Sequence, residues 1–214
     1  MKYWLFSILT AVIAYGAGCL STMVIASNLV FRTNLRRLGK GSLWLSNFRR
    51  VYGAKGFLKL ALVELVKDAL PVLIGGLLFS SGGNGEVGRA LAAFCLVLGR
   101  MYPSIYGFRG SYATAAIGIG AMFISFSVGA MVLLVSILIT FATRYIALGT
   151  LAGGIVLAAA GVLVLDNTLA VRLCFFIAAL VLIRCLSALG RIARGKEERL
   201  NFKRDISYKF DERL

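Results

Sequence analysis

The chain contains no histidine, and its 214 residues include only nine acidic residues, two prolines and four cysteines. Without histidine it lacks the commonest general base and the commonest ligand of transition metals, so any chemistry must use other groups. The cysteines lie in or at the ends of apolar segments, without the paired spacing of metal or redox motifs, which indicates structural thiols. We therefore expect no metal and no cofactor.

Apolar and basic residues are in excess. The chain is 59% hydrophobic with a mean hydropathy of +0.86, against roughly 45–50% apolar residues in a soluble domain. Lys and Arg outnumber Asp and Glu by 24 to 9, giving a net charge of +15. Most of these charges lie between or after the apolar segments, as in proteins whose basic loops orient them in a membrane. The composition predicts an all-α integral membrane protein and argues against nucleic-acid binding.

Six apolar runs are candidates for transmembrane helices, since about 20 apolar residues are needed to cross roughly 30 Å of hydrocarbon. They cover residues 3–31, 56–79, 87–106, 113–142, 145–165 and 168–189. The first is longer than the core of a signal peptide and lacks a clear cleavage site, so we expect it to be retained. The fourth would make a helix of about 45 Å, so we expect it to contain two shorter spans.

The basic loops provide an independent test of the number of spans. Residues 31–56 carry seven basic residues and no acid, and the tail from residue 191 carries eight basic residues. The positive-inside rule places both in the cytoplasm, which requires an even number of crossings between them. Splitting the fourth run near residues 126–129 gives seven spans with the N-terminus outside. This predicts a polytopic membrane domain over 1–190 and a basic cytoplasmic tail over 191–214.

Charged residues also occur inside an apolar run. Glu64, Lys67 and Asp68 are spaced to share one face of the second predicted helix. Ionisable groups at membrane depth are costly, face the protein interior and often serve a function. The alternative is an internal ion-pair network that only fastens helices together.

Two loops are rich in groups that bind phosphate. Residues 36–42 read Arg-Arg-Leu-Gly-Lys-Gly-Ser, and arginine forks and exposed backbone N–H groups suit phosphate oxygens. Attraction to anionic lipid headgroups is the alternative. The loop that follows Arg100 and contains Arg109 is expected on the same side of the membrane. The boundary at Arg144 is expected on the opposite side if its helices are ordinary spans, so its joining the site would need a short or re-entrant element.

At these residues the sequence resembles the acyl-phosphate-dependent glycerol-3-phosphate acyltransferases of bacterial membranes, the PlsY family. The resemblance runs through nearly the whole chain in order. It is carried by four groups of residues: Arg36, Gly39, Gly41, Asn47, Arg50 and Gly53, followed by Glu64, Lys67 and Leu70-Pro71-Val72; Gly99, Pro103, Phe108, Arg109, Gly110, Ala113 and Thr114; Leu148 and Gly149; and Arg184, Arg191, Gly195 and Glu197.

The departures from the family's signatures fall on polar positions. Arg100 stands where the second signature has histidine, and the glycine-lysine loop after it is about two residues shorter, with Ser111-Tyr112 in its place. The other replacements are at signature positions now occupied by Lys40, Ser42, Trp44, Ala147, Cys185 and Ala188. The helical scaffold is therefore closer to the family pattern than the polar site is.

The resemblance implies an acyltransferase of phospholipid synthesis in the bacterial inner membrane, with membrane lipids as neighbours and with acyl phosphate and glycerol 3-phosphate as substrates. The implied phosphate- or substrate-binding residues are Arg36, Lys40, Ser42, Asn47, Arg50, Arg100, Arg109 and Arg184, braced by Glu64 and Lys67. The alternative is a catalytically degenerate member that binds a phosphorylated lipid or a membrane protein partner. The sequence assigns no residue a catalytic role.

Overall fold

The computed structural model describes residues 2–22, 45–108, 110–197 and 199–200. Over these residues the chain forms seven α-helices and one short 3-10 helix, without a β-strand, so the all-α prediction is confirmed. The helices are α1 Lys2–Cys19, α2 Leu45–Ser80, α3 Gly85–Met101, α4 Thr114–Ile124, α5 Phe126–Thr143, α6 Ile146–Val164 and α7 Thr168–Ala193, with the 3-10 helix at Ser104–Tyr106.

The helices differ in their capacity to cross a membrane. In the part of the chain that the structure describes, α5, α6 and α7 are long and apolar enough by length and composition, and α1 and α4 are shorter apolar helices. Helix α2 has 36 residues, about 54 Å at 1.5 Å per residue, which exceeds the roughly 30 Å of hydrocarbon. It begins at Leu45, well before the predicted start at residue 56. The prediction followed the apolar run, which starts after the basic residues Arg49, Arg50 and Lys55, whereas the helix includes them.

The fourth apolar run is broken into two helices, as predicted. Ser125 has extended backbone angles, φ −149° and ψ 130°, and separates α4 from α5. A Cβ at Gly129 would lie 2.4 Å or less from the backbone of Met122, so only glycine allows α5 to cross α4 this closely. The 11 residues of α4 make a helix of about 16 Å, roughly half the hydrocarbon thickness.

The chain divides into two compact units. The larger contains residues 1–20 and 65–199. Within it α1 packs on α3, α3 also contacts α4 and α7, and α6 packs between α5 and α7. The smaller contains residues 21–64 and 200–214, of which the first part of α2 is the main described element.

Small residues allow the helices of the larger unit to approach closely. A Cβ at Gly99 would lie 2.3 Å from the carbonyl oxygen of Tyr15, so the backbones of α3 and α1 are in contact. Gly149 and Gly153 form a small-xxx-small pair on α6 and face Ser136 of α5. Lipid tails are as apolar as leucine, so such close packing, rather than apolar burial, drives association of helices inside a membrane.

We expect Gly149→Ala to destabilise the protein. The added Cβ would lie 1.8 Å from Thr140 Oγ1 and 2.5 Å from the carbonyl oxygen of Ser136, and overpacking of this kind costs about 1–3 kcal/mol. The midpoint of thermal unfolding in detergent should fall by about 5 °C. Gly190→Ala on α7 is the matched control, because its Cβ would meet nothing within 4 Å. Equal midpoints for the two variants would contradict the close α5–α6 contact.

Candidate functional site

A buried carboxylate joins three elements of the larger unit. The Asp68 side chain, on α2, is fully buried, and Arg100 Nη2, in the last turn of α3, donates to its Oδ1 and Oδ2 at 3.0 and 2.8 Å. Lys67 Nζ lies 3.2 Å from Asp68 Oδ1. Lys67 also donates to the carbonyl oxygens of Ala17 and Leu20, at 3.3 and 3.0 Å, where a cation is favourable because α1 ends there. We call Lys67, Asp68 and Arg100 the Asp68 cluster.

The loop after α3 returns directly onto Arg100. The backbone N–H of Ser111 donates to the carbonyl oxygen of Arg100 at 3.2 Å, and a Cβ at Gly110 would lie 2.1 Å from the same oxygen. The described residues 102–108 and 110–113 therefore belong to a loop, loop 102–113, whose two ends meet at the last turn of α3. Ala113, which ends the loop, has left-handed angles with φ 58°.

Arg184 of α7 holds the same loop from the other side. Its Nη2 donates to the carbonyl oxygen of Gly110, and its guanidinium carbon lies 5.7 Å from the centroid of the Tyr102 ring. Tyr15 Oη donates to the carbonyl oxygen of Tyr102 at 3.0 Å, which ties the loop to α1 as well. The loop is thus positioned by side chains from two helices that are distant from it in sequence.

A second polar network lies where this loop meets the end of α7. Tyr112 Oη donates to Glu197 Oε1 at 2.5 Å and accepts from Arg191 Nη2 at 2.9 Å. Arg191 Nε donates to Glu197 Oε2 at 2.7 Å. Burial raises the pKa of Tyr112 to about 12, and the hydrogen bond to Glu197 and its charge act in the same direction, while Arg191 opposes them. We call these three residues the Tyr112 network.

The turn between α5 and α6 lies at the same end of the larger unit. Thr114 and Thr150 share a short hydrogen bond of 2.5 Å between their hydroxyl oxygens. Arg199 Nε donates to Tyr145 Oη at 2.9 Å, and its guanidinium carbon lies 5.6 Å from the centroid of that ring. The expectation that the Arg144 boundary lies opposite was therefore wrong. Because the fourth run forms two successive helices, α4 and α5, the chain returns to the end at which α4 begins.

The structure brings some of the predicted site residues together. Lys67 and Arg100 meet through Asp68, and Arg184 reaches the loop that Arg100 begins. Asn47 and Arg50 lie in the first two turns of α2, and Glu64 lies on α2 one turn before Asp68. The predicted site residues Arg36, Lys40, Ser42 and Arg109 lie outside the described residues.

Sequence reasoning assigned no site role to Tyr112 or Arg191, and for Asp68 it left open whether the residue serves a function or only an ion-pair network that fastens helices together. Asp68 had a usable signal, because it shares a helix face with Glu64 and Lys67. Tyr112 had only a weak signal, its place in the shortened loop, since tyrosines are common at the ends of membrane helices. In the described ranges no group of three His, Cys, Asp or Glu residues lies close enough to hold a metal ion.

The fold is that of a known membrane enzyme. Two crystal structures of PlsY (YgiH), an integral membrane glycerol 3-phosphate acyltransferase, superpose with TM-scores of 0.74. The glycerol 3-phosphate form is 23% identical and covers 91% of this chain and 96% of that one. The lysophosphatidic acid form is 22% identical, with coverage of 90% and 94%. The chain is thus an all-α integral membrane protein with this fold.

The family is defined by sequence. The model of the glycerol-3-phosphate acyltransferase family matches residues 8–195, so the chain belongs to this family. The acyltransferase of Thermoanaerobacter pseudethanolicus is 26% identical over 203 residues, covering 94% of this chain and all of the relative. That of Cereibacter sphaeroides is 30% identical over 199 residues, covering 92% and 90%. The predicted membership of this family is confirmed.

The Tyr112 network makes a prediction about alkaline pH. Because the pKa of Tyr112 in the folded protein, about 12, exceeds its ordinary value of 10.0, folding favours the neutral phenol. This stabilisation is fully present below pH 10 and is lost as the pH rises towards 12. In spectrophotometric titration, Tyr112→Phe should remove a step in tyrosinate absorbance near pH 12. It should also flatten the fall in thermal stability between pH 10 and 12.

Tyr106→Phe, in the same loop, is the control for this titration and should leave that step in place. A wild-type curve in the Tyr112→Phe variant would show that Tyr112 is not held as described.

Proposed function

We propose that this protein transfers an acyl group from acyl phosphate to the 1-hydroxyl of glycerol 3-phosphate, giving lysophosphatidic acid and inorganic phosphate. The supporting observation is membership of the glycerol-3-phosphate acyltransferase family over residues 8–195, with relatives of that name matched along their whole length. The same fold occurs in crystal structures of PlsY described as glycerol 3-phosphate and lysophosphatidic acid forms. The proposed setting is the bacterial inner membrane, with the basic loop and tail in the cytoplasm.

The reaction makes modest demands on protein side chains. The glycerol hydroxyl oxygen attacks the acyl carbonyl carbon, the bond from that carbon to the phosphate oxygen breaks, and the hydroxyl proton leaves with the phosphate. Acyl phosphate is an activated anhydride whose leaving group is already good, so the absence of histidine is compatible with this chemistry. The main requirement is cations and N–H donors around two phosphates, which stabilise the charge that develops in the transition state.

In this proposal the basic loops supply those groups. Lys40, Arg50 and Arg109 hold phosphates, Asn47 orients the glycerol, and Glu64 with Lys67 braces the site. Each charge-assisted hydrogen bond contributes about 1.5–3 kcal/mol, so loss of one arginine should lower transfer by an order of magnitude or more. Arg184 contributes by holding Gly110 in place.

A second function is supported by a different observation. Arg100 and Arg184, both predicted phosphate ligands, donate to acceptors of the protein itself, the Asp68 carboxylate and the Gly110 carbonyl. A family member whose cations are occupied in this way would retain the fold and bind a phosphorylated lipid or a membrane protein partner without turnover. The transfer assay separates the two functions.

The test is acyl transfer from palmitoyl phosphate to radiolabelled glycerol 3-phosphate by the purified protein in detergent. We expect labelled lysophosphatidic acid from the wild type and at least a tenfold loss in Arg50→Ala. Arg194→Ala is the matched control, because Arg194 is exposed after α7 and outside the proposed site. Folded wild-type protein without product would exclude the transferase and favour the binding function.

A further inference from the structure

The Arg100 side chain is bound to a carboxylate of the protein, whereas a phosphate ligand would need its N–H donors available to a substrate. Its Nη2 donates to both oxygens of Asp68, and the side chains are 11% and 0% exposed. A guanidinium that left this position to bind a substrate phosphate would leave the buried carboxylate with Lys67 as the remaining cation of the cluster, and breaking a buried ion pair by removing one partner is strongly destabilising. Asp68 therefore holds the Arg100 side chain in place.

The backbone of Arg100 also contacts the loop that follows α3. Its carbonyl oxygen accepts the Ser111 N–H and is in van der Waals contact with Gly110. A shift of the last turn of α3 would therefore displace the point at which the loop returns, and with it Tyr112, Ala113 and the start of α4. The Arg100 side chain is fixed to α2 while its backbone fixes the loop.

We propose that the Asp68–Arg100 pair is a positioning device for loop 102–113, and that Arg100 acts through this loop instead of contacting a substrate phosphate. The predicted effect on the rate of acyl transfer rests on the proposed function. The predicted effect on the position of the loop does not, because it can be measured without turnover. Arginine suits this role because its planar fork engages both carboxylate oxygens, whereas lysine presents a single point charge.

The pair predicts a particular pattern in a double-mutant cycle. Asp68→Asn leaves the Arg100 and Lys67 cations without their carboxylate, and Arg100→Gln leaves Asp68 with Lys67 as the remaining cation of the cluster. The double variant removes both charges of the Asp68–Arg100 pair. Each single variant should lower kcat for acyl transfer at least tenfold, with a smaller change in KM for glycerol 3-phosphate. The double variant should recover to within about threefold of the wild type. Arg100→Lys, which keeps the charge but not the fork, should fall between wild type and Arg100→Gln.

A second measurement reports the loop directly and does not need activity. The four native cysteines are buried, while Ser111 in the loop and Ser81 in the α2–α3 turn are exposed. In a Ser111→Cys background, labelling by a water-soluble maleimide should accelerate about fivefold or more in each single variant and return towards the wild-type rate in the double variant. In the matched Ser81→Cys background the rates should stay unchanged throughout.

The outcomes distinguish this inference from the proposed function. A direct phosphate ligand would make Arg100→Gln inactive with a raised KM and leave Asp68→Asn near wild type. The double variant would then be no better than Arg100→Gln, and that result would overturn the inference. Unchanged Ser111→Cys labelling in the single variants would overturn it as well. If the wild type makes no product, acyl transfer fails while the labelling cycle still decides the role of the pair.

Discussion

The larger unit depends on one buried carboxylate. Asp68 is fully enclosed, and an ionised side chain in a membrane-embedded protein is tolerated only where protein groups replace water around it. Lys67 and Arg100 are those groups, and each also binds a second part of the chain: Lys67 the end of α1, and Arg100 the returning loop. The need to satisfy one charge thus fixes the relative positions of α1, the second half of α2 and the end of α3.

That arrangement explains why polar contacts gather at one end of the larger unit. With α3 fixed at its last turn, loop 102–113 returns onto that turn. Arg184 of α7 then donates to the carbonyl oxygen of Gly110 in the loop, and Tyr15 of α1 donates to that of Tyr102. The half-length α4 then returns the chain through α5 to the same end, where Thr114 meets Thr150 and Arg199 meets Tyr145. Short-range packing at Gly129 and Gly149 makes this return possible, because larger residues would separate α5 from α4 and α6.

Much of the helical organisation could be predicted from the sequence, because apolar runs indicate segments in the hydrocarbon and basic runs indicate loops in water. The order of the helices and the break in the fourth run followed from run length and loop parity. The pairing of Asp68 with Arg100 did not follow, since 32 residues separate them and no periodicity relates two different helices. The side on which Arg144 lies was also missed, although the predicted split of the fourth run into two segments already returns the chain to the side on which that run begins.

The same contacts bear on how an altered polar site remains compatible with the fold. Where the family signature has histidine this chain has Arg100, whose permanent charge is paired at this crowded helix end with the Asp68 carboxylate. In the shortened loop Tyr112 is accommodated in the same way, by Glu197 and Arg191. Both replacements are paired with side chains on other helices or beyond them. A buried polar group left without a partner costs the fold about 1–3 kcal/mol, so these pairings stabilise the bundle whether or not acyl transfer is retained.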